Sequence, residues 1–442
     1  MSASGKEAQS SIKTLSTHEV SEQYLSKDTV VVDVRSPDAY NGWKENGEKR
    51  GGHIPGAKNL PAKWADYIDW FDIVEAKEIS SDKNLIVYGA SAEEAELVAK
   101  RLQRVGYEKA VVYPGFVEEW TADNNLPLEE LPRHQHLVPA WWVKKHFHDQ
   151  AGNGAEKKMV VTHVHYRNPD DYDEGHIPGA IPLNTNWLES TETWNRRSPE
   201  ELKDVLEKMG IDQDTTVVVY GRFSSPDPND PYPGSSAGQL GAFRCAFILL
   251  YAGVKDVRIL NGGIQAWEDA GYELSREKVE PTPVTDFGAS IPGRPELAVD
   301  LPEAKEILAS DKQNLVSVRS WPEFIGEVSG YNYIEKKGRI PGAVFADCGS
   351  DAYHMENYRN LDHTLRDFNE VADIWKNLGI TSDKKNAFYC GTGWRGSEAF
   401  FNAWLMGWHN VAVFDGGWFE WSNNNEPYET GIPSNYQTSS PE

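Results

Sequence analysis

The chain has 442 residues, a length that suits three domains at ~150 residues each. Its 39% hydrophobic and 25% charged residues exclude wholesale disorder. With 44 Lys and Arg against 68 Asp and Glu, the formal charge is −24, which makes nucleic acid and anionic membrane poor partners. The three cysteines, Cys245, Cys348 and Cys390, exclude a disulfide scaffold and a four-thiolate metal site.

Residues 1–13 are polar and Ser-rich and lack the apolar core of a secretory leader. That implies either a cytoplasmic protein or one whose leader has been removed. No apolar run approaches the ~20 residues a bilayer needs, the longest candidate lying around residues 247–251.

From there the chain spells one unit three times. Each copy opens on a β-branched strand, at 30–40, 160–172 and 315–324. A Gly-x-Ile-Pro-Gly turn follows at 52–56, 175–179 and 338–342. A second strand runs over 86–89, 217–221 and 386–391, then an apolar helix and a third strand. The unit closes on a Pro-Gly or Gly-Gly turn that enters an aromatic helix. Strands alternating with helices predict an α/β fold, each unit a mostly parallel sheet flanked by helices. Pro-bearing, weakly hydrophobic stretches at 126–139 and 280–295 read as linkers. The predicted domains are therefore 11–132, 137–278 with an inserted loop at 224–238, and 295–431.

Ligands bind an open parallel sheet at the carboxyl ends of its strands, and the copies differ most there. After the second strand the first copy reads Tyr88-Gly-Ala-Ser and the second Tyr220-Gly-Arg-Phe, neither with a thiol. The third reads Tyr389-Cys390-Gly391-Thr392-Gly393-Trp394-Arg395 and leads into a helix expected over 397–406. Two glycines let the backbone curl into an anion nest, and a helix N-terminus adds partial positive charge to the same point. The thiolate is the reactive form of cysteine, and Arg395 adds a permanent cation. Cys390 is the candidate nucleophile, with Gly391, Thr392, Gly393, Trp394 and Arg395 as candidate substrate-binding residues. Phosphatase loops space Cys and Arg by five residues, whereas four lie between them here, so a ring sized for one cysteine-bound sulfur is favoured over phosphate.

The Asp-Val-Arg-Ser and Gly-His-Ile-Pro-Gly segments, the six-residue cysteine loop and the Gly-Gly-x3-Trp ending resemble rhodanese-like sulfurtransferases. Three copies with the active loop in the last resemble the bacterial triple-domain thiosulfate sulfurtransferases. The resemblance implies two thiol-free domains and a catalytic third. It further implies that Cys390 takes sulfane sulfur from thiosulfate as a persulfide and passes it to cyanide or a thiol. It also suggests a periplasmic location. Alternatives are 3-mercaptopyruvate as donor, or a sulfur relay that docks a carrier protein. Ser317 replaces the family's usual aspartate and Glu323 its substrate arginine, leaving Arg395 as the cation expected to meet the donor's oxygens.

Of the remaining candidates, Arg319 and Glu323 read as a structural ion pair, and Trp321, Tyr331, Tyr333 and Trp394 as pocket wall or core. The pairs His134/His136, His146/His148 and His163/His165 lack a third ligand at recognised spacing, so no metal and no cofactor is expected. Cys348 is a passive residue or a resolving thiol, and Cys245 is core.

Overall fold

The computed structural model describes residues 12–148, 158–223 and 238–434; most of the 224–238 insertion lies outside them. Residues up to His134 form one compact unit and those from Gln135 onward a second. Among the described residues no helix is long and apolar enough to cross a membrane.

The first unit holds one parallel sheet of β1 (Thr29–Asp33), β2 (Lys58–Asn59), β3 (Asn84–Tyr88) and β4 (Ala110–Val112), in the order β2-β1-β3-β4. A single parallel bridge from Thr14 to Val112 extends it at the β4 edge.

The second unit holds two sheets. One comprises β5 (Leu137–Val138), β6 (Met159–His165), β7 (Ile181–Asn184), β8 (Thr216–Tyr220) and β9 (Asp256–Leu260), ordered β5-β9-β8-β6-β7. The other comprises β10 (Ala298–Val299), β11 (Gln313–Ser317), β12 (Val344–Phe345), β13 (Lys385–Tyr389) and β14 (Val411–Phe414), ordered β10-β14-β13-β11-β12. Among the described residues all strand ladders are parallel, and β8 is buried at every residue, as a strand covered on both faces must be.

The two most regular repeat motifs recur together because they bond to each other. Arg35 donates to the Gly52 carbonyl at 2.8 Å and Arg319 to the Gly338 carbonyl at 2.7 Å. Tyr88 and Tyr220, at the ends of β3 and β8, accept from the Ile54 and Ile177 amides through their hydroxyls. Ile54, Ile177 and Ile340 are fully buried. The Gly-x-Ile-Pro-Gly turn is thus a plug seated on the sheet end.

In the second unit, the helices that follow β8 and β13 (Gly238–Ala252 and Trp394–Leu405) pack on one another. Phe243 meets Phe401 at 5.9 Å and Phe247 meets Phe400 at 5.5 Å, both edge to face. This apolar seam accounts for a first helix buried along its whole length, Cys245 included.

Candidate active site

Cys390 follows β13 directly and is fully buried. Its carbonyl accepts from the Trp418 amide at 2.9 Å, and the Gly391 carbonyl accepts from Phe419 at 3.0 Å. In a trans peptide the N–H points opposite to the C=O of the same plane. Turning these carbonyls onto the Gly417–Asn423 helix therefore aims the Gly391 and Thr392 amides away from that helix. The arrangement is suited to hold a sulfur anion.

The two glycines serve different ends. Gly393, at φ 89°, is the left-handed N-cap of the next helix, and a Cβ there would lie 2.8 Å from the Asp415 carbonyl. The helix accordingly starts at Trp394, a turn earlier than the expected 397. At Gly391 a Cβ would overlap the Tyr331 ring, so the missing side chain lets that phenol lie against the loop.

Arg395 is not the free cation the sequence suggests. Buried completely, it donates to both oxygens of Glu323 at 2.9 Å each, to the Tyr331 hydroxyl at 2.8 Å, to the Asp351 carbonyl at 2.9 Å and to Cys348 Sγ at 3.4 Å. Glu323 also accepts from Arg319 Nε at 3.3 Å and from the amide and hydroxyl of Ser320. Burial alone would raise the Glu323 carboxyl, but the Arg395 and Arg319 guanidiniums outweigh it and hold the group at about 2. The Arg319–Glu323 pair read from sequence is present, with Arg395 as its third member.

Trp394 also departs from expectation. Its indole donates to buried Glu189 of the preceding sheet's domain at 2.9 Å, and its ring meets Tyr166 edge to face at 5.6 Å. It anchors the start of the helix. Trp321 packs with Phe324 and Phe345 in a separate cluster.

The wall beside the loop is aromatic. Tyr331 and Tyr333 lie 5.4 Å apart, Tyr353 sits edge-on to Tyr331 at 6.2 Å, and Phe419 lies 6.4 Å from Tyr333. Thr392 is itself buried, on the Tyr333 side of the loop. Burial pushes the Tyr331 phenol well above its ordinary range, the nearby Arg395 only partly opposing it. Sequence reasoning missed Tyr353 and Trp194, the latter stacked on Tyr333 at 5.2 Å. No spacing within the third copy points to a residue supplied by the second.

Elsewhere, the first copy's strand end is closed by ion pairs: Arg35 binds Asp33 at 2.6 Å and Glu48 at 3.0 Å, all buried. His134 and His136 lie on a short 3-10 turn, while His163 and His165 lie at the end of β6. Among the described residues no group of three His, Cys, Asp or Glu is placed to hold a metal.

Comparison with known proteins agrees with this architecture. Residues 16–123, 147–270 and 300–424 match the Rhodanese-like domain. The thiosulfate sulfurtransferase YnjE of Escherichia coli (strain K12) is 39% identical over 93% of this chain and 91% of its own length. A putative thiosulfate sulfurtransferase of Haloferax volcanii is 30% identical over 65% of this chain and 93% of its own. The solved wild-type structure of EanB superposes with a TM-score of 0.93 at 55% identity, covering 96% of this chain and 99% of that one. A variant of EanB, solved in complex with ergothioneine covalently linked with a persulfide cysteine, superposes at 0.94 with 54% identity, covering 96% and 100%.

Proposed function

Because the chain belongs to the rhodanese-like family of sulfurtransferases, we propose that Cys390 carries sulfane sulfur as a persulfide and exchanges it with the imidazole of hercynine to give ergothioneine. The observation that carries this reading is that the donors of Arg395 are occupied by Glu323 and Tyr331 within an aromatic-walled site. A thiosulfate dianion gains little from a guanidinium already bound through both ends to a buried carboxylate. A betaine with a flat ring and a quaternary ammonium gains from aromatic faces. The EanB structures with hercynine and ergothioneine support the same class of ligand.

The persulfide's outer sulfur bonds to ring carbon C2 and the S–S bond breaks. Cys390 leaves with the bond's electron pair and takes up a proton, while C2 gives up its hydrogen as a proton to solvent. The sulfur is reduced by two electrons and C2 oxidised by two, yielding the thione. The loop amides hold the anionic persulfide. The Tyr331 hydroxyl accepts from Arg395 and keeps its own proton, so it is oriented to donate to a ring nitrogen. A persulfide or polysulfide donor reloads Cys390.

The name of the E. coli relative favours a second reading, thiosulfate as donor with cyanide or a thiol as acceptor. The two are separated by giving purified protein polysulfide with hercynine, or thiosulfate with cyanide. Thione formation dominating, and lost in Cys390→Ala, is the expected result. Fast thiocyanate formation without thione would replace the first reading with the second.

A further inference from the structure

Two hairpins in the second unit exchange places. Residues 189–196 of the first sheet's domain are closed by an antiparallel bridge from Glu189 to Arg196, and residues 359–365 of the other by one from Arg359 to Leu365. Each reaches the other domain's strand end. The Arg196 amide donates to Asp415 just after β14 at 2.8 Å, and the Leu365 amide donates to Asn261 just after β9 at 2.9 Å. Two residues before each of these contacts the backbone turns left-handed, at Trp194 (φ 60°) and His363 (φ 63°). Each of these residues lays its ring on the neighbouring domain. His363 stacks on Phe223 at 4.0 Å, beside the thiol-free loop. Trp194 stacks on Tyr333 at 5.2 Å, beside the armed loop.

A bulky residue at positive φ is strained and persists only where its surroundings enforce it. Here the enforcement is visible. Buried Arg244 donates to the Trp194 carbonyl at 2.9 Å and is itself held by Glu189 at 2.9 Å and Asp415 at 3.3 Å. Glu189 in turn holds Trp394, the first helical residue after the cysteine loop. The hairpin that presents Trp194 is therefore bolted to the loop it faces.

We infer that Trp194, supplied by the thiol-free second domain, is the specificity wall of the Cys390 site. It pairs with Tyr333 to receive the quaternary ammonium end of the acceptor. This rests on the sulfur-transfer reading above and adds to it a substrate-class determinant. Indole is the strongest aromatic partner for a cation, and Tyr333, the more exposed member of the stacked pair, supplies the second ring. The catalytic third domain is incomplete without this residue.

The test compares wild type with Trp194→Gly, Trp194→Phe and, as an internal control, His363→Gly. Glycine accepts positive φ, so it removes the ring while sparing the turn. The acceptors are hercynine and histidine, which differ only in the three N-methyl groups. In wild type, kcat/KM should favour hercynine. In Trp194→Gly that preference should shrink roughly tenfold through KM, the size expected of one desolvated cation–π face. Phe should restore most of it, and His363→Gly should leave it intact. Loading of Cys390, read as a gain of about 32 Da on donor treatment, should be unchanged throughout. An undiminished preference in Trp194→Gly would overturn the inference. So would equal loss of loading and transfer, which marks a merely structural role. A wild type that makes no thione would instead defeat the function proposed above, whatever the variants do.

Discussion

Glu323 grips Arg395 through both carboxylate oxygens, each 2.9 Å from a terminal guanidinium nitrogen, with both side chains out of water. Breaking one side of a buried pair strands the other charge, so Glu323→Leu should cost ~3–5 kcal/mol, read from urea unfolding. The pair also sets an acid limit. The Glu323 carboxyl sits at about 2 in the fold against 4.5 normally. Its unfolded form binds the proton first, so the contribution is complete above pH ~4.5 and fades as pH falls towards 2, amounting to a few kcal/mol. Acid unfolding of wild type should show this loss across that window, and Glu323→Gln should flatten it. Equal slopes in the two proteins would contradict the assignment.

Gly391 gives a second prediction. Its missing side chain lets Tyr331 lie against the loop, with the hydroxyl 2.8 Å from Arg395. In Gly391→Ala the methyl group must displace the phenol or the loop. Sulfur transfer to hercynine should fall about 100-fold or more, the order that loss of a positioned proton donor produces, while far-UV circular dichroism stays native. Activity within twofold of wild type would mean that Tyr331 has no part in the transfer.

These two residues also show where the sequence was informative. The repeat, the parallel sheets and the turn carrying Cys390 are local patterns, and each follows from residues a few positions apart. The partner of Arg395 lies 72 residues away, and nothing at 395 announces that its charge is already taken. Trp394 looks like pocket wall from its place in the loop, yet its bond runs 205 residues back to Glu189. The start of the helix at 394 was obscured for another reason. A Gly N-cap offers no side-chain signal; only its left-handed φ marks the boundary. Trp194 is the extreme case, a residue of one copy completing the site of another.

Glu189 is the joint between those copies, taking Arg244 Nε and the Trp394 indole at 2.9 Å each. Burial pushes its carboxyl upward against the pull of Arg244. Replacing it with Leu leaves a buried guanidinium and an indole N–H without their acceptor. That should cost ~3–5 kcal/mol and lower the urea midpoint. Gln can still accept from the indole, so Glu189→Gln should lose less. If Leu proves as stable as wild type, Arg244 and Asp415 hold the hairpin that carries Trp194 without help from Glu189.

Cys348 lies against Arg395 of the cysteine loop, and its chemistry argues against a resolving role. Burial pushes its thiol up to about 12, and the Arg395 guanidinium at 3.4 Å only partly offsets this. Its sulfur lies 3.6 Å from the His354 carbonyl, a position from which the S–H donates. A thiol with its proton fixed is neither a good nucleophile nor a good partner in exchange. Cys348→Ala should therefore still load sulfur on Cys390 and transfer it within about twofold of wild type, because Arg395 keeps its bonds to Glu323, Tyr331 and Asp351. Cys390→Ala, with Cys348 intact, should form no thione and carry no transferable sulfur. Peptide mass mapping after donor treatment checks both. A Cys348–Cys390 disulfide accumulating during turnover, or turnover abolished in Cys348→Ala, would restore the resolving role.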